Sequence, residues 1–553
     1  MDSNKNTALI KYQHKTLTKV SNQLSITDKL LSDKRIGKLM ELARGYYEKR
    51  EYEKVIELTT KAIEINPEYA DAYLYRGASC GKLGYYQKAI SDYTKAIEIT
   101  PDDADAYYNR GNVYNDLKEY QKAISDYTKA IEINPEYASP YNNRGNVYNA
   151  LKDYQKAISD YTKAIEINPK HASAYRNRSH QYSKNNEYEK AIADCTKAIE
   201  VNPDYAFAYN DRGFDYFELK DYKKAINDYS KAIEINPKYV RAYCNRGNTH
   251  RDLKNYQKAI SDYTKAIEIN PKYASAYNTR GNTYNNLKEY QKAISDYTKA
   301  IEINPQCASY YYNRGNAYEE LKNYHKAISD FTKAIEINPE YAYAYNMRGI
   351  SYKELKEYQK AINDYSKAIE INLAGAYVHF YYNNRGIVYR KLEEYQKAIS
   401  DYTKAIEINP KHDYAYNNRG IVYNNLKEYE KAISDYTKVI EINPKLAPAY
   451  SNRGNVYRNL QEYQKAIGDY TKAIKINPNF ANAYRNRGVA HQKLGNDEQA
   501  DKDFAKSKQL KDKQEKEKFH QEILKKATHQ ETPTLPAPPP TPPSSPQNKL
   551  PNP

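Results

Sequence analysis

Nine asparagines, Asn109, Asn143, Asn177, Asn245, Asn313, Asn384, Asn418, Asn452 and Asn486, are separated by 34 residues or twice that, apart from one step that is three residues longer. A primary amide carries a hydrogen-bond donor and an acceptor on one planar group. A row of them can pair with both the C=O and the N–H of an extended peptide, largely independent of its sequence. Six further asparagines, Asn112, Asn146, Asn248, Asn282, Asn316 and Asn455, form a second row three residues on in the same frame. The two rows are the candidate peptide-binding residues.

Other chemistry is sparse. The sequence has no H-E-x-x-H, no P-loop and no G-x-S-x-G. Its ten His are scattered; His250 and His491 occupy positions otherwise held by Tyr and read as core. Cys80, Cys195, Cys244 and Cys307 lie too far apart for a C-x-x-C motif, and so few cysteines suit a reducing compartment. No catalytic residue, metal ligand or cofactor is expected.

The elements that position these amides follow from internal periodicity. The phrase KAIEINP recurs with its Pro at 67, 135, 169, 237, 271, 305 and 339, Pro101 and Pro203 fit the same frame, and the series resumes at 410, 444 and 478. With that Pro at position 32 of a 34-residue unit, fourteen repeats begin at 36, 70, 104, 138, 172, 206, 240, 274, 308, 342, 379, 413, 447 and 481. They are numbered 1 to 14 below. Tyr at 4, Gly at 8 and Tyr at 11 make one helical stripe; positions 17, 20, 24, 27 and 28 make a second. Gly, Asn or Lys near 13–15 breaks the pair and Pro ends it. Two antiparallel helices should bring together positions summing to about 28: Gly at 8 with Ala at 20, Tyr at 4 with Tyr at 24, and 11 with 17. Arg at 7 and Asp at 23 occur together in thirteen repeats, and repeat 1 breaks both with Leu42 and Leu58. An Arg–Asp pair between the helices, or between adjoining repeats, is expected. The asparagine rows fall at positions 6 and 9, on the side of the first helix away from its packing stripe.

Composition agrees with thin, repeated cores. Apolar residues are 40%, charged residues 28%, and the mean hydropathy is -1.00, yet there are 64 Tyr and no Trp. Tyr supplies packing area with a polar tip. The net charge is +16, but residues 1–35 and 506–530 carry +4 each, leaving +8 over 36–505. Less than one charge per repeat is a solvated surface, not a nucleic-acid footprint. No apolar run suits a signal peptide or a membrane span; no membrane association and a cytoplasmic location are expected.

The pattern resembles the tetratricopeptide repeat (TPR) family, in its Y-x-N-R-G variety, from 36 to about 512. Tyr replaces the family's Trp at position 4, and Arg replaces Leu at position 7. The resemblance implies an all-α fold: a right-handed α-solenoid superhelix of about fourteen TPR helix hairpins, with first helices lining a concave groove. It implies a non-enzymatic protein–protein interaction scaffold binding extended peptide segments, neutral or acidic, in that groove. An architectural assembly component using the convex face or ends, or an accessory subunit of an enzyme complex, is the alternative. A similar asparagine ladder belongs to the O-linked N-acetylglucosamine transferase, whose catalytic domain has no counterpart here. The carboxylate clamp of co-chaperones is not matched, because position 5 (Leu74, Tyr108, Asn142, Arg176) is never Lys.

The domain reading is therefore a partly helical N-terminal segment (1–35), in which Leu17, Val20 and Leu24 suggest a short helix; fourteen repeats (36–514) with an irregularity at 373–381; a continuing C-terminal capping helix (515–530); and a Pro-rich disordered tail (531–553). The irregularity, where Leu373 replaces Pro, reads as a duplication scar or a joint. The tail's P-x-x-P spacings offer a ligand to a proline-reading domain. Protein or peptide partners are expected.

Overall fold

The computed structural model describes residues 29–373 and 375–528, with side chains up to residue 517. Among the described residues there are 28 helices and no strand. First and second helices alternate throughout: Ala104–Asp116 with Tyr120–Ile133, Ala138–Ala150 with Tyr154–Ile167, and so on to Ala481–Lys493 with Asp497–Thr528. The chain forms two compact units, one ending at Leu287 and the other beginning at Lys288, so the division falls inside repeat 8. In each unit, first helices of successive repeats touch one another, whereas no contact joins successive second helices among the described residues. The first-helix side is thus the inner side of each stack.

Local chemistry sets each boundary. The first helix of repeat 3 ends in a Schellman turn: Glu119 N–H donates to the Tyr114 carbonyl at 2.8 Å and Lys118 N–H to Asn115 at 2.9 Å. This requires positive φ at position 15, and Lys118 (60°), Lys152 (63°) and Lys220 (63°) adopt it, with glycine there only at Gly84 and Gly495. The second helix stops at an extended Asn before Pro; Asn134 sits at φ -132° and its Oδ1 accepts Glu136 N–H at 3.1 Å.

The register differs from the expected sum of 28. A Cβ on Gly145 would lie 2.7 Å from Cε1 of Tyr161, so position 8 faces the ring at position 24. The expected partner at position 20 is also near, but as backbone: a Cβ on Gly213 would meet the Ala225 carbonyl at 3.3 Å. Tyr at position 4 meets Ala at 27, not Tyr at 24; Tyr73 packs on Ala96 and on Ala106 of the next repeat. Ala123 and Tyr127 in turn pack on Val147 of the next repeat. Every hairpin therefore needs its neighbour to close its core. The sum is nearer 31, because the three-residue turn shifts the second helix along the first.

Arg and Asp pair within the repeat. In repeats 2–7 and 9–14 the guanidinium clasps its own Asp, as in Arg144 Nε to Asp160 Oδ2 and Nη2 to Oδ1, both 2.8 Å. The remaining Nη1 donates to the hydroxyl at position 25 of the preceding repeat, Arg144 to Thr128 at 2.9 Å and Arg246 to Ser230 at 3.0 Å. One side chain thus ties three helices. The bidentate bonds to Asp92 hold the Arg76 guanidinium even more firmly protonated than usual. These arginines are structural and are not basic ligands in the groove.

Helix continues past the regular repeat frame at both ends. Among the described residues the first helix of repeat 1 covers 29–48, reaching into the N-terminal segment, and buries Ile36 and Met40 against Ala62 and Ala72. The last helix runs on to Thr528, with Asp512 where Pro would end it. At 373–381 the seam is closed: Val378 and Tyr381 pack on Ala342, Ala368 and Ile369. Leu17, Val20, Leu24 and the 531–553 tail lie outside the described residues.

Candidate functional site

The position 6 asparagines stand half-buried on the inner, first-helix side. Their amide nitrogens are partly engaged, reaching back to the preceding repeat. Asn245 Nδ2 donates to Asn210 Oδ1, Asn384 to Asn346, Asn418 to Asn383 and Asn452 to Asn417, each at 3.0 Å. Asn143, Asn177 and Asn486 reach position 9 of the preceding repeat, to Asn112 (2.8 Å), Asn146 (3.0 Å) and Asn455 (2.9 Å), and two of them also reach its position 5, Asn177 to Asn142 Oδ1 at 3.0 Å and Asn143 to Tyr108 Oη at 3.1 Å. Each of those position 9 oxygens also accepts the phenol at position 24 of its own repeat, as Tyr127 Oη to Asn112 Oδ1 at 2.8 Å. Asn248 accepts Tyr263 in the same way.

Position 6 amides are therefore tied to amides at position 5 or 9 of the preceding repeat, forming lattices within each unit. Asn109, Asn313, Asn282 and Asn316 occupy the same register positions. Among the described residues, Oδ1 of Asn177, Asn245, Asn384, Asn418 and Asn452 accepts no hydrogen bond. Sequence reasoning placed these residues on the first helix, away from its packing stripe. It did not foresee that one N–H of most of them is committed to the fold.

Repeat 6 departs from the row. Position 6 of repeat 6 is Asp211, whose Oδ2 accepts Arg176 Nε at 2.7 Å. Around this pair lies a cavity of about 440 Å³, walled by His180, Lys184, Phe214, Asp215, Glu218 and Arg241. Asp215 is 1% exposed, and its Oδ1 has no hydrogen-bond partner among the described residues. Burial pushes its carboxyl up to about 7, with Asp211 and Glu218 adding to the rise and the Ser183 hydroxyl opposing it. Burial likewise lowers His180, and Lys184 lowers it further. The signal for this cluster was in the sequence: repeats 5 and 6 leave the consensus together at positions 9 and 10, with Arg176 at position 5 of one and Asp211 at position 6 of the other.

A second polar departure sits by the insertion. His379 Nδ1 and His412 Nδ1 are 3.3 Å apart, both buried, and Asn409 Nδ2 lies 3.4 Å from His379 Nε2. The amide can only donate, so His379 Nδ1 carries the proton and donates to His412. That leaves His412 Nε2–H buried without a partner. Burial, then His379, pushes His412 down to about 4. His250 is buried as its core reading required. Among the described residues no three His, Cys, Asp or Glu gather as a metal ion would need, and no helix is long and apolar enough to cross a membrane.

Helical hairpins that close one another's cores, tied by repeated seams and lined on the inner side by amides, define the class of α-helical repeat scaffolds for protein–protein interaction. Within that class the chain belongs to the tetratricopeptide repeat family. Its family model matches residues 104–137, 138–171, 172–205, 240–273, 274–307, 308–341, 342–372, 380–412 and 414–446, and two related repeat models match 79–118, 215–253, 454–495 and 435–468. Among solved structures, the chain is similar to one in the APC/C hetero-tetramer Cut9-Hcn1, at 18% identity and a TM-score of 0.43, covering 86% of this chain and 93% of that one. It is also similar to YrrB, described as a TPR protein with an unusual peptide-binding site, at 27% identity and a TM-score of 0.29, covering 33% of this chain and 95% of that one. No curated protein matches the sequence.

Proposed function

We propose that the chain is a non-enzymatic scaffold that holds extended peptide segments against the inner, first-helix face of its repeats. The observation that carries this reading is the amide lattice. Its cross-repeat bonds fix the position 6 side chains, so little rotamer entropy remains to be lost when a ligand binds. In Asn245, Asn384, Asn418 and Asn452 Nδ2 is anchored through one hydrogen, so Oδ1 and the second N–H can receive a peptide N–H and C=O. Neighbouring helices pack about 8–10 Å apart, and an extended chain rises about 3.3 Å per residue. One amide therefore meets about every third peptide residue. Backbone recognition of this kind tolerates many sequences, and affinity grows with the number of repeats engaged.

Isothermal titration with uncharged extended peptides tests the reading. Asn384→Ala, Asn418→Ala and Asn452→Ala together should weaken binding at least about ten-fold, the equivalent of about 1.4 kcal/mol, with helicity retained. Undiminished binding by the triple variant would move recognition to the outer face or the ends, as an architectural component requires.

A further inference from the structure

Position 10 of the first helix is a seam position, filled by Val113, Val147, Val388, Val422 and Val456, or by Thr249, whose hydroxyl bonds its own helix at 2.9 Å. Asp215 occupies it in repeat 6. A carboxylate there has one oxygen sealed from solvent and unpartnered, at the wall of an open cavity. Such a group is costly to keep unless something completes it.

The surrounding charges indicate what would. Arg176, which also lines the cavity, is already spent on Asp211 at 2.7 Å. The charges that act on Asp215 are Asp211 and Glu218, both acidic, whereas His180 feels the cations Lys184, Arg176 and Arg241 alongside Asp211. The cavity is therefore polarised, with an acidic end at Asp215 and Glu218. Phe214, 42% exposed, offers an apolar wall beside it. A long side chain with an apolar stem and a cationic head fits both features.

We infer that the cavity between repeats 5 and 7 is a specificity pocket for one basic side chain, lysine or arginine, of a peptide bound along the first-helix face. The head group pairs with Asp215 and Glu218, and the stem lies on Phe214. This assignment rests on the peptide-scaffold reading above and adds a side-chain preference to a face that otherwise reads only backbone.

The test uses the full chain and three end-capped Ser/Thr/Ala peptides of about 15 residues, about 50 Å when extended: one uncharged, one with a single central Lys, one with Glu in its place. The protein's net charge of +16 favours the Glu peptide by bulk attraction, so a Lys preference cannot arise that way. Wild type should bind the Lys peptide about ten-fold more tightly than the uncharged one. Asp215→Asn and Asp215→Val should abolish that preference while leaving the uncharged peptide's affinity unchanged. Asp215→Val, which restores the residue usual at this position, should also raise Tm. Equal binding of the Lys and uncharged peptides overturns the pocket and leaves the scaffold reading intact. Binding of the Lys peptide alone supports the pocket and removes the amide row. Binding of neither overturns both. A lower Tm for Asp215→Val would make Asp215 a structural residue and overturn the assignment.

Discussion

Replacing Gly145 with serine should damage repeat 4, and replacing Tyr161 with cysteine at the same time should repair part of the damage. The added Cβ would lie 2.7 Å from Tyr161 Cε1 and 2.9 Å from Cδ1, and Tyr161 is 1% exposed and cannot swing away. Overpacking of this kind costs about 1–3 kcal/mol, against about 0.5 kcal/mol gained from serine's better helix propensity. The net loss is about 1–2 kcal/mol. Tyr161→Cys alone opens a cavity and removes the phenol bonded to Asn146 at 2.8 Å, costing about 3 kcal/mol or more. Repeat 5 already carries the pair as Ser179 and Cys195, with Oγ and Sγ 3.1 Å apart, and repeat 1 carries a similar small pair, Ala43 and Thr59. The double variant should therefore be more stable than the sum of the single effects by at least about 1 kcal/mol. Repeat arrays open locally, so the measurement is amide hydrogen exchange across residues 138–167, where about 1.4 kcal/mol is a ten-fold change in protection. Strict additivity would refute the claim that position 8 is glycine because of the ring at position 24.

Three further outcomes are expected. Arg144→Ala leaves Asp160 buried without its partner and should cost about 3–5 kcal/mol, whereas Thr128→Val, which removes only the seam acceptor, should cost about 1 kcal/mol by thermal or exchange measurements. Lys152→Gly relieves a left-handed lysine at φ 63° and should stabilise by about 0.5 kcal/mol after allowing for glycine's freer unfolded chain, visible as a small rise in Tm. His412, ordinarily near 6.5, titrates near 4 when folded, so the unfolded chain binds the proton more tightly. Its stabilising contribution is complete above pH 6.5 and falls by about 3 kcal/mol as pH drops to 4; exchange around 378–416 should quicken over that window, and His412→Tyr should flatten the response.

The helices and their order were legible because Tyr, Gly, Ala and Pro recur with helical spacing inside a fixed period. The Arg–Asp partnership was legible because repeat 1 breaks both at once. The register was not, because nothing in the sequence states how far a left-handed residue at position 15 displaces one helix along the other. The hydroxyl at position 25 escaped notice for the opposite reason to Arg: it is constant through thirteen repeats, and only Ala505 in the last one offers a contrast. The asparagine rows were placed on the correct face by spacing, but hydrogen bonds between side chains 31 or 35 residues apart leave no trace in a single helix's pattern. Asp211 and Asp215 were not singled out, although departure from the repeat is what distinguishes them.

The seams have a direction. Each interior repeat offers a hydroxyl to its successor and a guanidinium to its predecessor; repeat 1 lacks the guanidinium, having Leu42, and repeat 14 lacks the hydroxyl, having Ala505. Any interior block of 34 residues can thus be copied or excised and the cut ends will still match, with no polar group orphaned. Array length becomes a quantity that unequal exchange between near-identical segments can change at little energetic cost. Repeats 5 to 7 are the exception, because a copy or loss there would double or erase the cavity at Asp215 proposed as a specificity pocket.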